Sequence, residues 1–197
     1  PTITPDMIAA ASEPGEHTSL SPDHLVPANT HVCRLTEQKD FATLIAAFAK
    51  VRSQQEARLI ILGDGGLRSE LIAQATALGV DEHIALPGFQ NNPWAWMSKA
   101  SVFALSSRWE GSPNTLTEAM ALGIPVVSTD CPSGPRELLD AGRLAPLVAM
   151  GDSDTLASAL LSVLAKPSQS QMLTEAVSAY HRDVSATAYL QTLGLSA

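Results

Sequence analysis

Two carboxylates, Glu110 and Glu118, flank a turn at residues 111–113 that leads into a predicted helix. Ser112 is a good N-cap residue, the proline after it suits the first helical position, and Gly123 is a good helix stop. The first turn of a helix has backbone N–H groups without helical partners and a partial positive charge, which suits a phosphate group. The spacing therefore places one carboxylate on each side of a candidate anion-binding site.

These two glutamates are better suited to bind hydroxyl groups than to contact a phosphate. An ionised carboxylate repels a phosphate that touches it, but it accepts strong hydrogen bonds from hydroxyl groups a short distance away. Sugar hydroxyls beside one glutamate and ribose hydroxyls beside the other would fit. An exposed glutamate next to a capped helix is also common, and the spacing alone leaves that alternative open.

Two cations are predicted at the carboxyl edge of a sheet. Arg34 lies near the end of a weak first strand at residues 28–35, and Lys39 precedes an amphipathic helix at residues 41–51 with apolar positions at i, i+3, i+4 and i+7. Open α/β sheets bind ligands at this edge. Taken alone, the two residues are more simply explained as ordinary surface cations.

The elements that must position these residues alternate between strand and helix. Further strands are predicted at residues 58–62, 84–89, 101–107, 124–130 and 145–149, with helices between them. A helix capped by Asp152 or Ser153 follows, and two more helices are predicted over 168–193, separated near 183–185. The alternation predicts an α/β fold with a doubly wound, Rossmann-like parallel sheet and helices on both faces.

The connections are short, which predicts one domain at residues 28–197. Residues 1–27 contain five prolines and no sustained periodicity beyond a turn of helix at 6–11, so we predict a linker or irregular approach there. The chain has neither a signal-peptide pattern nor an initiator methionine at its start, which favours a fragment of a longer protein.

Composition excludes several classes of partner and location. The net charge of −8 argues against a nucleic-acid surface, and 45% apolar residues suffice for a sizeable core. Cys33 and Cys131 form no metal-binding pattern, which favours a reduced, cytoplasmic protein. No apolar run approaches the ~20 residues that span a bilayer.

Two further motifs have simpler structural explanations. The glycines at residues 63–66 follow a strand, but Arg68 occupies the third glycine position of a dinucleotide fingerprint, so we predict a tight turn rather than an NAD site. Trp94 and Trp96 could stack on a base, although aromatic residues on a helix more often pack in a core.

Residues 32–148 resemble the nucleotide-sugar-binding half of retaining glycosyltransferases of the large "group 1" family, which includes sucrose synthase, mannosyltransferases and lipopolysaccharide glucosyltransferases. The resemblance rests on segments that occur in the family's order: RLTEQKDFATLIAAF, LIILGDG, ALPGF, LSSRWEGSPNTLTEAMALGIPVVSTD with its E-x7-E motif, and CPSGPREL. It implies the carboxyl-terminal half of a GT-B fold. Cys33 departs from the pattern, since the family usually has glycine before the arginine.

The resemblance also implies roles for individual residues. Arg34 and Lys39 would hold the donor diphosphate in place of a metal ion, Glu110 would contact the donor sugar, and Glu118 the ribose. Gly88 and Phe89 would border the base. Sugar and phosphate would be contacted by backbone amides of the opening turn, those of Gly111, Ser112, Asn114, Thr115 and Leu116. No cofactor is expected, because a UDP- or GDP-sugar would be a substrate. No metal is expected either, because the two cations would take its place.

The implied activity is transfer of a hexosyl or N-acetylhexosaminyl group to a glycan or lipid-linked acceptor. Nothing in residues 1–27 resembles the amino-terminal acceptor domain of such enzymes, so the isolated chain is expected to be inactive. In the full-length protein we expect a cytoplasmic location, peripheral at the inner membrane face. A degenerate or stand-alone nucleotide-sugar-binding module is the alternative; sugar-nucleotide 2-epimerases share the fold, but the E-x7-E context favours transferases.

Overall fold

The computed structural model describes residues 2–13, 25–28 and 35–194, with residues 25–28 described through their backbone alone. Arg34 and Cys33 lie outside the described residues. The strands are β1 (Leu25–Ala28), β2 (Arg58–Leu62), β3 (Ile84–Gly88), β4 (Phe103–Leu105), β5 (Val126–Thr129) and β6 (Leu147–Val148). They form one sheet in the order β3-β2-β1-β4-β5-β6, and each neighbouring pair is parallel. The predicted α/β, doubly wound fold class is confirmed.

Nine α-helices of the described chain connect and cover these strands. They are α1 (Pro5–Ala11), α2 (Phe41–Arg52), α3 (Arg68–Ala77), α4 (Pro93–Met97), α5 (Asn114–Ala121), α6 (Pro135–Leu138), α7 (Ser153–Ala165), α8 (Ser170–Ala176) and α9 (Arg182–Thr192). Asp152 caps α7 through its carboxylate, and Gly123 follows α5 with a φ of 70°, as predicted. None of the described helices has the length and apolar character that crossing a membrane requires.

Alternating side chains along the strands build a core on each face of the sheet. Ala104 of β4 joins the cluster under α2, α3 and α7, whereas its neighbours Phe103 and Leu105 join the cluster under α1, α4, α5, α6 and α8. Because successive strand residues point to opposite faces, the two clusters lie on opposite sides of the sheet. Both faces of β4 are therefore buried, which explains its continuously apolar sequence.

The chain order of the strands reverses between β1 and β4. In open α/β sheets, ligands bind at such a switch point, beyond the carboxyl ends of the strands. Here the segment after β1 leads to residues 35–40, and the segment after β4 is residues 106–113. The fold thus brings Lys39 and Glu110 to the same edge of the sheet, although 71 positions separate them.

Several predicted element boundaries differ from the structure: the strands predicted at 101–107, 124–130 and 145–149 are shorter, at 103–105, 126–129 and 147–148. The described first strand begins at Leu25 rather than at residue 28, and residues 29–34 of the predicted strand lie outside the described part of the chain. Helix α5 begins at Asn114 with Pro113 as N-cap, not with Ser112 as N-cap and Pro113 in the first helical position, because the Pro113 carbonyl accepts from the N–H groups of Leu116 and Thr117.

Another wrong boundary lies near the end of the chain. Helices α8 and α9 are separated over residues 177–181, not at 183–185. The physical reason is a long-range contact: Ile3 donates its N–H to the Tyr180 carbonyl at 2.9 Å and accepts from the Arg182 N–H at 2.9 Å. This pairing holds His181, which has a ψ of 137°, in a non-helical conformation directly before α9.

Part of residues 1–27 belongs to the folded domain, beyond the irregular approach that we predicted. Helix α1 confirms the turn of helix expected at 6–11, Thr4 caps it by accepting from the Met7 N–H, and Met7 is buried in the core. Strand β1 also takes most of its residues from this segment. The structure therefore places part of the predicted linker inside the domain.

Candidate functional site

Two loops at the switch point are held together by a series of hydrogen bonds. The Arg108 N–H donates to the Gln38 carbonyl at 2.8 Å, and the Gln38 side-chain amide donates to the Trp109 carbonyl at 2.9 Å. The Ser106 hydroxyl donates to the Lys39 carbonyl at 2.7 Å. Because these contacts alternate between the loops, the backbone on both sides of Lys39 and Glu110 is fixed.

Lys39 and Glu110 form an ion pair in this frame. The Lys39 Nζ atom lies 2.7 Å from Glu110 Oε1, and the two side chains are only 15% and 6% exposed. The Ser107 hydroxyl donates to the same oxygen at 2.6 Å, and the Glu110 N–H donates to the Pro132 carbonyl at 3.1 Å. An ammonium group has three N–H donors, so Lys39 has the capacity to contact Glu110 and an anion together.

A second ion pair lies beside the first. Asp40 has a φ of 46°, in the left-handed region, and its Oδ2 atom accepts from Arg108 Nε at 3.1 Å. Its Oδ1 atom accepts from the Thr43 N–H at 3.3 Å and so caps α2. The hydrogen bond and the charge of Asp40 raise the pKa of the Arg108 guanidinium above its ordinary value. This pair connects the start of α2 to the loop that carries Glu110.

Glu118 lies inside helix α5 and is only 7% exposed. Burial raises the pKa of its carboxyl group to about 7, although a hydrogen bond from Trp94 opposes the shift. The Trp94 Nε1 atom donates to Glu118 Oε2 over 3.2 Å. A buried carboxyl group whose pKa lies near neutral is a candidate functional group, because its charge can respond to a ligand.

The opening turn of α5 presents both exposed and buried residues. The predicted site residues Gly111, Ser112 and Asn114 are exposed, whereas the side chains of Thr115 and Leu116 are buried. The N–H of Asn114 donates to the Ser112 carbonyl at 2.8 Å, and that of Leu116 to the Pro113 carbonyl at 3.0 Å. The side chain of Leu116 therefore packs in the core, and its backbone N–H already has the Pro113 carbonyl as a partner.

The remaining predicted residues lie at the end of β3. Gly88 has a φ of 82° and its carbonyl accepts from the Gly63 N–H at 2.9 Å, while the Phe89 side chain is 56% exposed. They stand two strands away from β1 in the sheet order. The structure thus brings Lys39 and Glu110 into direct contact and joins Glu118 to Trp94, and it leaves Phe89 as a separate exposed aromatic residue.

Sequence reasoning missed several residues that shape the site. Ser107 and Arg108 were read only as strand and loop, and no local signal marks their contacts with Glu110 and Asp40. Asp40 could have been found, since an aspartate directly before a predicted helix is a typical N-cap. Gly134 is the N-cap of α6, and a Cβ atom there would overlap the Pro113 ring.

Comparison with known proteins adds a family and a set of similar folds. The family described as glycosyl transferases group 1 matches residues 27–166. A Campylobacter jejuni enzyme, N-acetylgalactosamine-N,N'-diacetylbacillosaminyl-diphospho-undecaprenol 4-alpha-N-acetylgalactosaminyltransferase, is 38% identical over 133 residues, which cover 68% of this chain and 36% of the enzyme.

Two solved structures share the fold. The lipopolysaccharide outer core galactosyltransferase WaaB is 27% identical with a TM-score of 0.72, covering 91% of this chain and 51% of that one. HepE of Anabaena in complex with UDP is 22% identical with a TM-score of 0.75, covering 98% and 54%. The chain therefore spans about a third to a half of the length of these similar proteins.

Proposed function

The chain belongs to the glycosyl transferases group 1 family, and from this membership we propose that it is the donor-binding domain of a retaining glycosyltransferase. The proposed reaction transfers a hexosyl or N-acetylhexosaminyl group from a nucleotide sugar to a glycan or lipid-linked acceptor. The similar proteins support both classes of ligand: the Campylobacter enzyme is named for a diphospho-undecaprenol-linked sugar, and the HepE structure holds UDP.

The observation that carries the proposal is the Lys39–Glu110 pair at the switch point of the sheet. Breaking the bond between a sugar and a nucleoside diphosphate leaves negative charge on the diphosphate, and a fixed cation stabilises that charge as it develops. Lys39 supplies the cation, held in place by Glu110. Arg34, which lies outside the described residues, is proposed as its partner, so that no metal is needed.

In this proposal each carboxylate binds one of the two sugar rings. Glu110, already held by Lys39 and Ser107, would accept a hydrogen bond from the donor sugar, and Glu118 would accept from the ribose hydroxyls. Gly88 and Phe89 would border the base. The acceptor would be bound by an amino-terminal domain, and the complete protein is proposed to work in the cytoplasm at the membrane surface.

The first test is thermal protection of the 197-residue chain by UDP. We expect an increase in melting temperature that grows with UDP concentration, since a ligand at ten times its Kd stabilises the folded state by about 1.4 kcal/mol. Glu118→Ala should reduce this protection, because it removes the proposed ribose acceptor. The matched control is Glu175→Ala, which removes an exposed carboxylate on α8 that accepts from Gln171.

The alternative outcomes of this experiment are informative. If UDP and GDP both leave the melting temperature unchanged, the donor-binding proposal fails. If Glu118→Ala and Glu175→Ala lower the protection equally, the assignment of Glu118 to the ribose is wrong, although the chain would still bind a nucleotide.

A second prediction concerns turnover. The 197-residue chain should bind nucleotide sugar but transfer no sugar to a lipid-linked or free glycan acceptor, because the acceptor-binding groups would come from another domain. The measurement is incubation with radiolabelled UDP-sugar and acceptor, followed by separation of the products. Labelled product formed by the chain without a partner would contradict the proposed division of roles.

A further inference from the structure

Helix α4 is short, but it is fixed at both ends. The Asn92 side chain caps it by accepting from the Ala95 N–H at 3.2 Å and donates to the Ala10 carbonyl at 2.9 Å. At the other end the Ser98 hydroxyl donates to the Ala11 carbonyl at 2.8 Å. The carbonyls of Ala10 and Ala11 both belong to the last turn of α1, whose Met7 is buried in the core. The position of α4 is therefore set by α1 and by the core beneath it.

From this fixed helix one side chain reaches across to α5. Trp94 is half-buried, and its Nε1 atom donates to Glu118 Oε2 at 3.2 Å. Trp96 of the same helix is buried and packs against Ile60 and Leu62 of β2. The two tryptophans thus serve different contacts: Trp96 packs on the sheet, whereas Trp94 contacts the buried carboxylate.

We propose that Trp94 is a positioning residue for nucleotide recognition: its indole N–H holds one oxygen of the Glu118 carboxylate so that the group meets the ribose hydroxyls as an oriented acceptor. This inference rests on the proposed function, because it takes Glu118 as the ribose contact. It assigns Trp94 a role distinct from base stacking and from simple core packing.

The chemistry of the two groups explains why a tryptophan suits this position. A buried carboxyl group tends to take up a proton, and the protonated form is a weaker acceptor for hydroxyl groups. An indole N–H only donates, so it favours the ionised carboxylate and cannot exchange roles with it. Trp94 therefore favours the state of Glu118 that accepts from a ribose, against the effect of burial.

The described elements that pack against α5 carry few titratable residues that could affect the charge of Glu118. Strands β4 and β5 contact α5 and carry no titratable residue, and neither does α4. Helix α8 contacts α5 and carries one, Glu175, which is exposed and accepts from Gln171. Outside these elements, the charge of the N-terminal amino group also lowers the pKa of Glu118, so it favours the ionised carboxylate together with the hydrogen bond from Trp94.

The first arm of the test needs no ligand. The ¹⁵N–¹H indole resonance of Trp94, assigned by its loss in Trp94→Phe, should titrate with a midpoint near the pKa of about 7 found for Glu118. In Glu118→Gln the same resonance should stay constant with pH. A Trp94 resonance that does not titrate in the wild type, or that titrates equally in Glu118→Gln, would overturn the inference.

The second arm measures the affinity for UDP-glucose between about pH 5 and pH 9, a range in which its diphosphate keeps a constant charge. At neutral pH Trp94→Phe should bind roughly tenfold more weakly, as expected for loss of a hydrogen bond to a charged group. The midpoint of its pH profile should also move upwards. Trp96→Phe, a matched aromatic change on the same helix, should keep the wild-type midpoint.

The two arms separate the possible failures. If the wild type binds UDP-glucose and Trp94→Phe has the same affinity and midpoint, the positioning role is wrong while the proposed function stands. If neither the wild type nor any variant binds UDP-glucose or GDP-mannose, the proposed function fails, and the ribose role of Glu118 fails with it.

Discussion

Replacing Lys39 with alanine should destabilise the chain by about 3–5 kcal/mol, the typical cost of leaving one member of a buried ion pair without its partner. The Glu110 carboxylate is 6% exposed and would keep only the Ser107 hydroxyl as a described side-chain partner. Urea unfolding at neutral pH measures the loss. The same variant, studied at a temperature where it is folded, should also lose most of its protection by UDP.

Two controls make this prediction specific. Lys50 pairs with Asp154 at 2.6 Å, but these side chains are 40% and 85% exposed, so Lys50→Ala should cost less than about 1 kcal/mol. The double variant Lys39→Met with Glu110→Gln should recover much of the stability, because it removes the buried charge as well as its partner. Equal losses for Lys39→Ala and Lys50→Ala would show that the Lys39–Glu110 pair is not buried in solution.

The second large effect concerns Glu118 and pH. Its pKa is about 7 in the folded chain against 4.5 as the ordinary value, so the folded state binds this proton more tightly than the unfolded state. The contribution of this group to stability is therefore fully present below about pH 4.5 and is lost as the pH rises to about 7, by about 3 kcal/mol in total. The contribution of Glu118 to wild-type stability should decline over that window.

Glu118→Gln should remove this dependence, because the amide is neutral at every pH. The variant should match the wild type near pH 4 and exceed its free energy of unfolding by up to about 3 kcal/mol at pH 8. Urea unfolding at a series of pH values measures both curves, with Glu175→Gln as the exposed control. Parallel curves for wild type and Glu118→Gln would contradict the raised pKa.

Glu118 thus illustrates a balance between stability and the proposed binding. At pH 8 the wild type keeps a buried carboxylate that destabilises the folded chain, while the glutamine variant is more stable and should bind UDP more weakly. Hydroxyl groups that donate to the carboxylate would lower its pKa, so UDP binding near neutral pH should release protons. This stability cost is consistent with a residue retained for ligand contact.

The sequence by itself determined the elements whose signals are local. Strand β2 lies at 58–62 as predicted, since the apolar run at 59–62 before a glycine-rich turn specifies a buried strand. Helix α2 begins at Phe41 as its i, i+3, i+4 pattern indicates, and the E-x7-E stretch led to the family. Each of these signals lies within a short segment, in which neighbouring residues decide the local secondary structure.

Only the tertiary structure decided which residues meet. The sheet order brings Lys39 to Glu110 across 71 positions and Trp94 to Glu118 across 24, and the pairing of Ile3 with residues 180–182 separates α8 from α9. Periodicity within a segment says which face is buried, but it carries no information about which distant segment covers that face. The burial that makes an ion pair strong or raises a pKa is a property of the packed chain, so these energies appear only once the layers have assembled.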